Sequence, residues 1–167
     1  MKQKINKIKV LAMDVDGVLT DGRIILDDEG QEIKNFDVLD GFGLVLWKQA
    51  QGLTAIITAR AAPTVSHRAK DLKIDKVYQN AYPKLKSYQK MLKEMKVSDE
   101  EVCFIGDDLP DLPVLRRVGL AVAVSNAVFE VKSVADYITV KNGGQGAVRE
   151  VVELILKIQG KWQRLIP

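Results

Sequence analysis

One cysteine in 167 residues leaves no internal disulfide, and the expected compartment is a reducing cytoplasm. That residue, Cys103, lies in the apolar run Val102-Cys103-Phe104-Ile105 and reads as a small core side chain. The sole histidine, His67, reads as a solvent-facing helix position and is given no role. Excess charge of one sign is also missing. Lys+Arg 25 against Asp+Glu 22 leaves +3 without a long basic run, so nothing calls for a nucleic-acid partner. No apolar stretch approaches the length of a membrane span, and the N-terminus lacks the apolar segment of a signal peptide. No repeat, linker or low-complexity tract breaks the chain, so one domain over residues 1–167 is expected. Lys2, Lys4, Lys7 and Lys9 read as a solvated leader.

What is present is a 47% hydrophobic content, enough for a core, and one organising stretch. Val10-Leu11-Ala12-Met13-Asp14-Val15-Asp16-Gly17-Val18-Leu19-Thr20 begins as a buried strand and ends in two carboxylates. An unpaired ionised carboxylate is costly to desolvate, so acids at the end of a buried strand need a reason. Asp14 and Asp16 alternate with Val15 and would share one face of an extended chain, and Gly17 lets the chain turn away.

Strand-like and helix-like segments alternate through the rest of the chain. The extended runs Arg23–Asp27 and Gln31–Phe36 flank the tip Asp28-Glu29-Gly30 and predict a β-hairpin. Asp40 is expected to cap a helix over 42–51 that Gly52 stops. Further strands are expected at 53–58, 76–79, 102–105, 120–124 and 137–140. Helices are expected from Pro63 to about Leu72, from Pro83 through Met95, over 111–118 and 127–134, and from Gly146 to about Gln159. Ser98-Asp99-Glu100-Glu101 has capping-box form, and the tail 161–167 is ambiguous. This alternation predicts an α/β fold of Rossmann-like, doubly wound type, with a mainly parallel sheet and a protruding hairpin. Ligands in such sheets bind beyond the carboxyl ends of the strands. The chemistry-bearing residues Asp14, Asp16, Thr58, Lys84, Asp107, Asp108 and Asp111 all follow predicted strand ends.

Those residue types suit phosphoryl transfer. A phosphomonoester dianion repels an attacking carboxylate, and a Mg²⁺ shared between them cancels that repulsion. Asp14 is the candidate nucleophile, since carboxylates form aspartyl-phosphate intermediates. Asp16 is placed to protonate the leaving oxygen and then to activate water. Asp107 would close the metal site from another strand, and Thr58 and Lys84 would donate to the phosphoryl oxygens.

Asp14-Val15-Asp16-Gly17-Val18-Leu19-Thr20, Thr58, Lys84 and Gly106-Asp107-Asp108-Leu109-Pro110-Asp111 resemble the four motifs of the haloacid dehalogenase superfamily, in order. Asp40-Gly41-Phe42-Gly43, Thr58-Ala59-Arg60 and the segment Gly143 to Glu150 are similar to a branch that dephosphorylates eight-carbon acidic sugar phosphates in lipopolysaccharide biosynthesis. One departure is the run Gln79-Asn80-Ala81-Tyr82-Pro83 before Lys84, where that branch often has Gln-Gly-Gln. The resemblance implies Mg²⁺ held by Asp14, Asp107 and the Asp16 backbone carbonyl. It implies that the segment through Arg149 reaches a substrate; Thr20 and Gly144 are further candidate contacts, and Arg60 and Arg68 suit a substrate carboxylate, although Arg68 reads better as a surface salt bridge. The Gly143–Gly146 run is expected as a flexible, phosphate-cradling loop. Neither 20–58 nor 58–84 has room for the cap domain that many superfamily members carry. The capless branch implies a homotetramer in which a neighbouring subunit roofs the site, with the hairpin as assembly element. Alternatives are a phosphatase for a sialic-acid-type 9-phosphate, a receiver-like phosphoacceptor that also uses Asp, Thr and Lys around Mg²⁺, and a silent scaffold.

Overall fold

An apolar run becomes a central strand when both of its edges find partners and both of its faces find cover. Residues Val10–Met13 meet both conditions in the computed structural model, which describes residues 1–165. The chain runs through α1 (Lys2–Lys7), β1 (Val10–Met13), β2 (Ile25–Leu26), β3 (Glu32–Ile33), α2 (Val38–Gln49) and β4 (Leu53–Ile57). It continues through α3 (Pro63–Asp71), β5 (Lys76–Tyr78), α4 (Lys84–Met95), β6 (Val102–Gly106) and α5 (Leu112–Leu115). It closes with β7 (Leu120–Ala123), α6 (Phe129–Val134), β8 (Tyr137–Ile138) and α7 (Ala147–Ile158). Six strands form a parallel sheet of order β5-β4-β1-β6-β7-β8, which is 3-2-1-4-5-6 once the separate two-stranded β2–β3 hairpin is set aside. That is the doubly wound order, with its switch point beside β1. The expected α/β class and the absence of a separate cap both hold. No helix among the described residues is long and apolar enough to cross a membrane.

Several boundaries differ from the sequence expectation, each for a local reason. The N-terminal lysines are solvated as expected, but they lie on or beside the helix α1, which packs on the domain. Ile5 and Ile8 are buried, and Gln159 donates to both of their carbonyls at 3.0 and 2.9 Å. The hairpin strands shrink to two residues each, because Asp27 accepts from Glu29 and Gln31 and tightens the tip. The helix expected over 111–118 is a 3₁₀ turn, Leu109–Asp111, followed by the short α5. Asp108 caps that turn while Asp111 reaches back to it. β8 ends early because the Glu150 carboxylate takes the Val140 and Lys141 amides that a neighbouring strand would otherwise bond. The ambiguous tail forms a 3₁₀ turn at Trp162–Arg164, and residues 166–167 lie outside the described residues.

Asp40 does not begin a helix as expected. Asp37 caps α2, accepting from Leu39 and Asp40. Asp40 lies in the first turn and caps a different helix. Its Oδ1 accepts from Arg149 N at 2.9 Å and its Oδ2 from Gly146 N at 3.3 Å. The residue before α7 is Gly146, which has no side chain to cap with, so a carboxylate more than a hundred positions away supplies the acceptors. Burial pushes the Asp40 carboxyl up to about 6 against the pull of those amides. Asp40→Ala strands buried N–H groups and is expected to destabilise the fold by about 1–3 kcal/mol in urea titrations. A change inside experimental error would show that α7 caps itself.

Candidate active site

Register brings the candidate residues to one edge. Met13 is level with Ile56 on β4 and with Ile105 on β6. The chain therefore leaves adjacent strands at Asp14, Thr58 and Asp107. The Asp14 amide donates to the Ile105 carbonyl at 3.1 Å, which extends the ladder one step into the site. A cavity of about 250 Å³ opens there, lined among others by Asp14, Asp16, Thr58, Arg60, Lys84 and Asp107. A larger groove of about 590 Å³ lies between α1 and residues 117–119, at the far end of the strands, and gathers no comparable set of acids.

Lys84 ties the acids together. Its side chain is 1% exposed, and its Nζ lies 2.6 Å from both Asp14 Oδ2 and Asp111 Oδ1. It occupies the first position of α4, where a side chain leans back toward the N-terminal end of the helix. Asp111 is fully buried, and its second oxygen accepts from the amides of Asp107 at 2.9 Å and Asp108 at 3.3 Å. Its two oxygens are therefore committed, and it braces Lys84 and the 106–108 backbone at once.

The remaining acids fit a hard divalent cation. Oxygens of Asp14, Asp107 and Asp111 lie within 4.8 Å of one another. Asp107 Oδ1 is buried with no hydrogen-bond partner among the described residues. A buried carboxylate oxygen facing another carboxylate needs a counter-charge, and oxygen ligands of this kind suit Mg²⁺. No donor among the described residues reaches the Asp16 carbonyl. Gly17, at φ +89°, makes the approach possible, since a Cβ there would lie 2.0 Å from Asp107 Oδ2.

Burial raises the Asp14 carboxyl to about 6, Lys84 pulling it down and Asp111 pushing it up. Burial, then the charges of Asp111 and Asp14, raises Asp107 to about 8. Burial works against the Lys84 ammonium, but the two carboxylates outweigh it and its pKa rises.

Asp16 faces another group of charges. Its Oδ1 accepts from Lys34 Nζ, and Arg60 Nε stands 3.8 Å from its Oδ2. Lys34 also bonds Glu32 at 2.8 Å, and Arg60 reaches Glu32 at 3.2 Å. Sequence reasoning missed Glu32 and Lys34. Their signal was the alternation Glu32-Ile33-Lys34, which points both charged side chains to one face of the hairpin.

Other expected contacts lie outside the cavity lining. Thr20 Oγ1 accepts from Gly17 and Gly22 and donates to the Val15 carbonyl, stitching the first loop. The 143–146 run is not a free cradle. Gly144 N donates to the Val18 carbonyl, and a Cβ on Gly143 would lie 1.7 Å from the Gly17 oxygen. Backbone is thus packed on backbone, which buttresses the first loop. Arg68 pairs with Asp71 and donates to the Asp37 carbonyl. Arg149 stacks over Phe42 and Trp162 and pairs with Glu153.

A 3-2-1-4-5-6 sheet with carboxylates and a buried lysine at its switch point is the arrangement of a haloacid dehalogenase-like hydrolase. The chain belongs to that family, which residues 48–151 match. That match begins after Asp14 and Asp16, but similarity to individual relatives takes in nearly the whole chain. It is 43% identical over 158 residues to 3-deoxy-D-manno-octulosonate 8-phosphate phosphatase KdsC of Escherichia coli K12, covering 95% of this chain and 84% of that one. The Moraxella catarrhalis 3-deoxy-D-manno-octulosonate 8-phosphate phosphatase, solved with magnesium ion, phosphate ion and KDO, superposes with a TM-score of 0.95 at 45% identity. The superposition covers 98% of this chain and 94% of that one. The cobalt-bound phosphatase YrbI of Haemophilus influenzae superposes with a TM-score of 0.92 at 37% identity, over 95% and 93% of the two chains.

The raised carboxyls give the site a pH signature. In metal-free protein, Asp14 and Asp107 favour the folded state at low pH and withdraw that support as pH rises through about 6 and about 8. A divalent cation replaces the lost protons as counter-charge. The Mg²⁺-induced rise in Tm is expected to be small near about pH 5 and to grow toward about pH 8, read by calorimetry with and without chelator. A rise independent of pH would mean that the cation binds elsewhere.

Proposed function

We propose that this protein is a Mg²⁺-dependent phosphatase that hydrolyses 3-deoxy-D-manno-octulosonate 8-phosphate to KDO and inorganic phosphate, a step of lipopolysaccharide biosynthesis. The convergence of Asp14 and Asp107, at the carboxyl ends of adjacent strands, with Lys84 at the start of α4 carries the reading. Residues 1–167 work as one catalytic domain in a cytoplasmic enzyme, in keeping with a single, fully buried cysteine. Asp14, Asp107 and the Asp16 carbonyl would hold the cation, which when bound neutralises the phosphate charge that repels a carboxylate.

The side chains divide the chemistry between them. An Asp14 carboxylate oxygen attacks phosphorus. The bond from phosphorus to the sugar oxygen breaks, and its electron pair goes to that oxygen, which takes a proton from Asp16. Asp16 then takes a proton from water, whose oxygen attacks the aspartyl phosphate and releases phosphate and the free Asp14 carboxylate. Thr58 and Lys84 donate to the phosphoryl oxygens, and Lys84 also fixes the aim of Asp14. Arg60, half exposed at the rim, is the group within the lining best suited to a sugar carboxylate.

The receiver-like alternative is weaker on topology, since receiver sheets follow the order 2-1-3-4-5 and this one does not. The intact acid and lysine set argues against a silent scaffold. A subunit partner completes the site in this reading. No cap covers the cavity among the described residues, and Ile24, Leu26 and Ile33 of the hairpin are each about half exposed, apolar surface suited to a homotetramer contact. Sedimentation of the active enzyme is expected to give a tetramer, and a fully active monomer would remove the borrowed roof.

A screen of acidic sugar phosphates with Mg²⁺ is expected to favour the eight-carbon substrate over a nine-carbon sialic-acid-type phosphate. Asp14→Asn is expected to lower kcat by at least ~10³-fold. The variant should stay folded, because Lys84 keeps its bond to the buried Asp111. Undiminished turnover in the variant would remove Asp14 from the nucleophile's place.

A further inference from the structure

The hairpin's inward face ends in a charged ring in which Glu32 and Lys34 have no assigned work. Lys34, the residue after β3, reaches back to the first loop, its side chain 1% exposed, between Asp16 and Glu32. Arg60 closes the ring on the other side, at 3.2 Å from Glu32 and 3.8 Å from Asp16. Two cations alternate with two carboxylates, so each buried charge has a partner. The ring joins three segments: the first loop, the hairpin and the chain leaving β4.

An ammonium desolvated at the end of a two-residue strand is an expensive way to stabilise a hairpin. Partial burial of a charge is costly unless its hydrogen bonds are well placed, and an apolar side chain would pack there at no such cost. The useful feature is which oxygen Lys34 holds. It bonds Oδ1 of Asp16 and leaves Oδ2 on the Arg60 side. A carboxyl group exchanges its proton on one oxygen, and the other still accepts a hydrogen bond in either protonation state. A lysine on Oδ1 therefore keeps Asp16 aimed both before and after it gives up its proton.

We propose that Lys34 is a positioning residue for Asp16, fixing Oδ1 so that Oδ2 delivers the proton to the leaving oxygen, and that the hairpin thereby takes part in the chemistry. The inference rests on the reading of Asp16 as acid and base. Glu32 orients Lys34 from the same face of the hairpin and prevents it from swinging toward the phosphate. An aligned proton donor matters most for an alkyl leaving group, which departs as a poor alkoxide unless protonated, and little for a nitrophenolate.

The test compares leaving groups under single-turnover conditions with Mg²⁺, where release of the alcohol reports only the first half-reaction. Lys34→Met is expected to slow release from the sugar phosphate roughly tenfold and release of nitrophenol from p-nitrophenyl phosphate less than about threefold, because the donor is misaimed rather than absent. Lys34→Arg is expected to recover part of the loss. The double variant Glu32→Gln/Lys34→Met balances the charge, and should regain thermal stability while keeping the deficit on the sugar phosphate. Asp16→Asn is the reference, expected to slow the sugar phosphate by at least ~10²-fold with a much smaller effect on the aryl ester. If Lys34→Met slows both substrates equally, or if the double variant recovers rate along with stability, Lys34 is structural and the proposal is overturned. If Asp16→Asn itself shows no dependence on leaving group, the reading of Asp16 fails and the role of Lys34 falls with it.

Discussion

A single ammonium held between two buried carboxylates governs the site. Lys84 bonds Asp14 on the central strand's exit and Asp111 in the turn after β6, each at 2.6 Å. Losing one partner from a buried ion pair costs about 3–5 kcal/mol, because the remaining charge is stranded. Loops from different parts of the chain are thus held in one arrangement. The lysine cannot leave without stranding two acids, and if Asp14 turns away the lysine is still held by Asp111. Asp107 is the exception within the cluster. Its unpartnered oxygen marks where the protein's own charges stop and a cation's begins.

The rest of the fold keeps that arrangement rigid. β1 is buried at every position and paired on both edges, so Asp14 starts from a backbone that cannot drift. The first loop is fixed by Thr20 from within and by the 143–144 backbone from outside. That outer support depends on α7, whose first turn is capped by Asp40 of α2. A chain of contacts thus runs from a helix on the face of the sheet to the loop that presents Asp16. The hairpin adds the last contact, through Lys34.

The fold was legible because its signals are strong and local: buried strand runs of four or five residues, and helices with one apolar face. The acids were legible because Asp14, Asp16 and Asp107 end apolar runs where bare charge is out of place. What escaped was interaction at a distance. Asp40 looked like the start of its own helix, and only the packing of α2 on α7 turns it into a cap for another. The N-terminal lysines are solvated as their composition suggests, but two isoleucines among them, Ile5 and Ile8, decide where the segment sits. Glu32 and Lys34 were not singled out: their alternation around Ile33 puts them on one face, but the sequence does not tell which face of the hairpin meets the first loop. Arg149 drew attention through resemblance, yet its partners are Phe42 of α2, Trp162 of the tail turn and Glu153 of α7, none of which lines the cavity.

Diffraction from crystals soaked in Mn²⁺, with anomalous data collected at its absorption edge, tests the central claim most directly. One strong peak ligated by Asp14 and Asp107 is expected, with Asp111 still bonded to Lys84. A peak ligated by Asp111 with Lys84 displaced, or none among these acids, would contradict it.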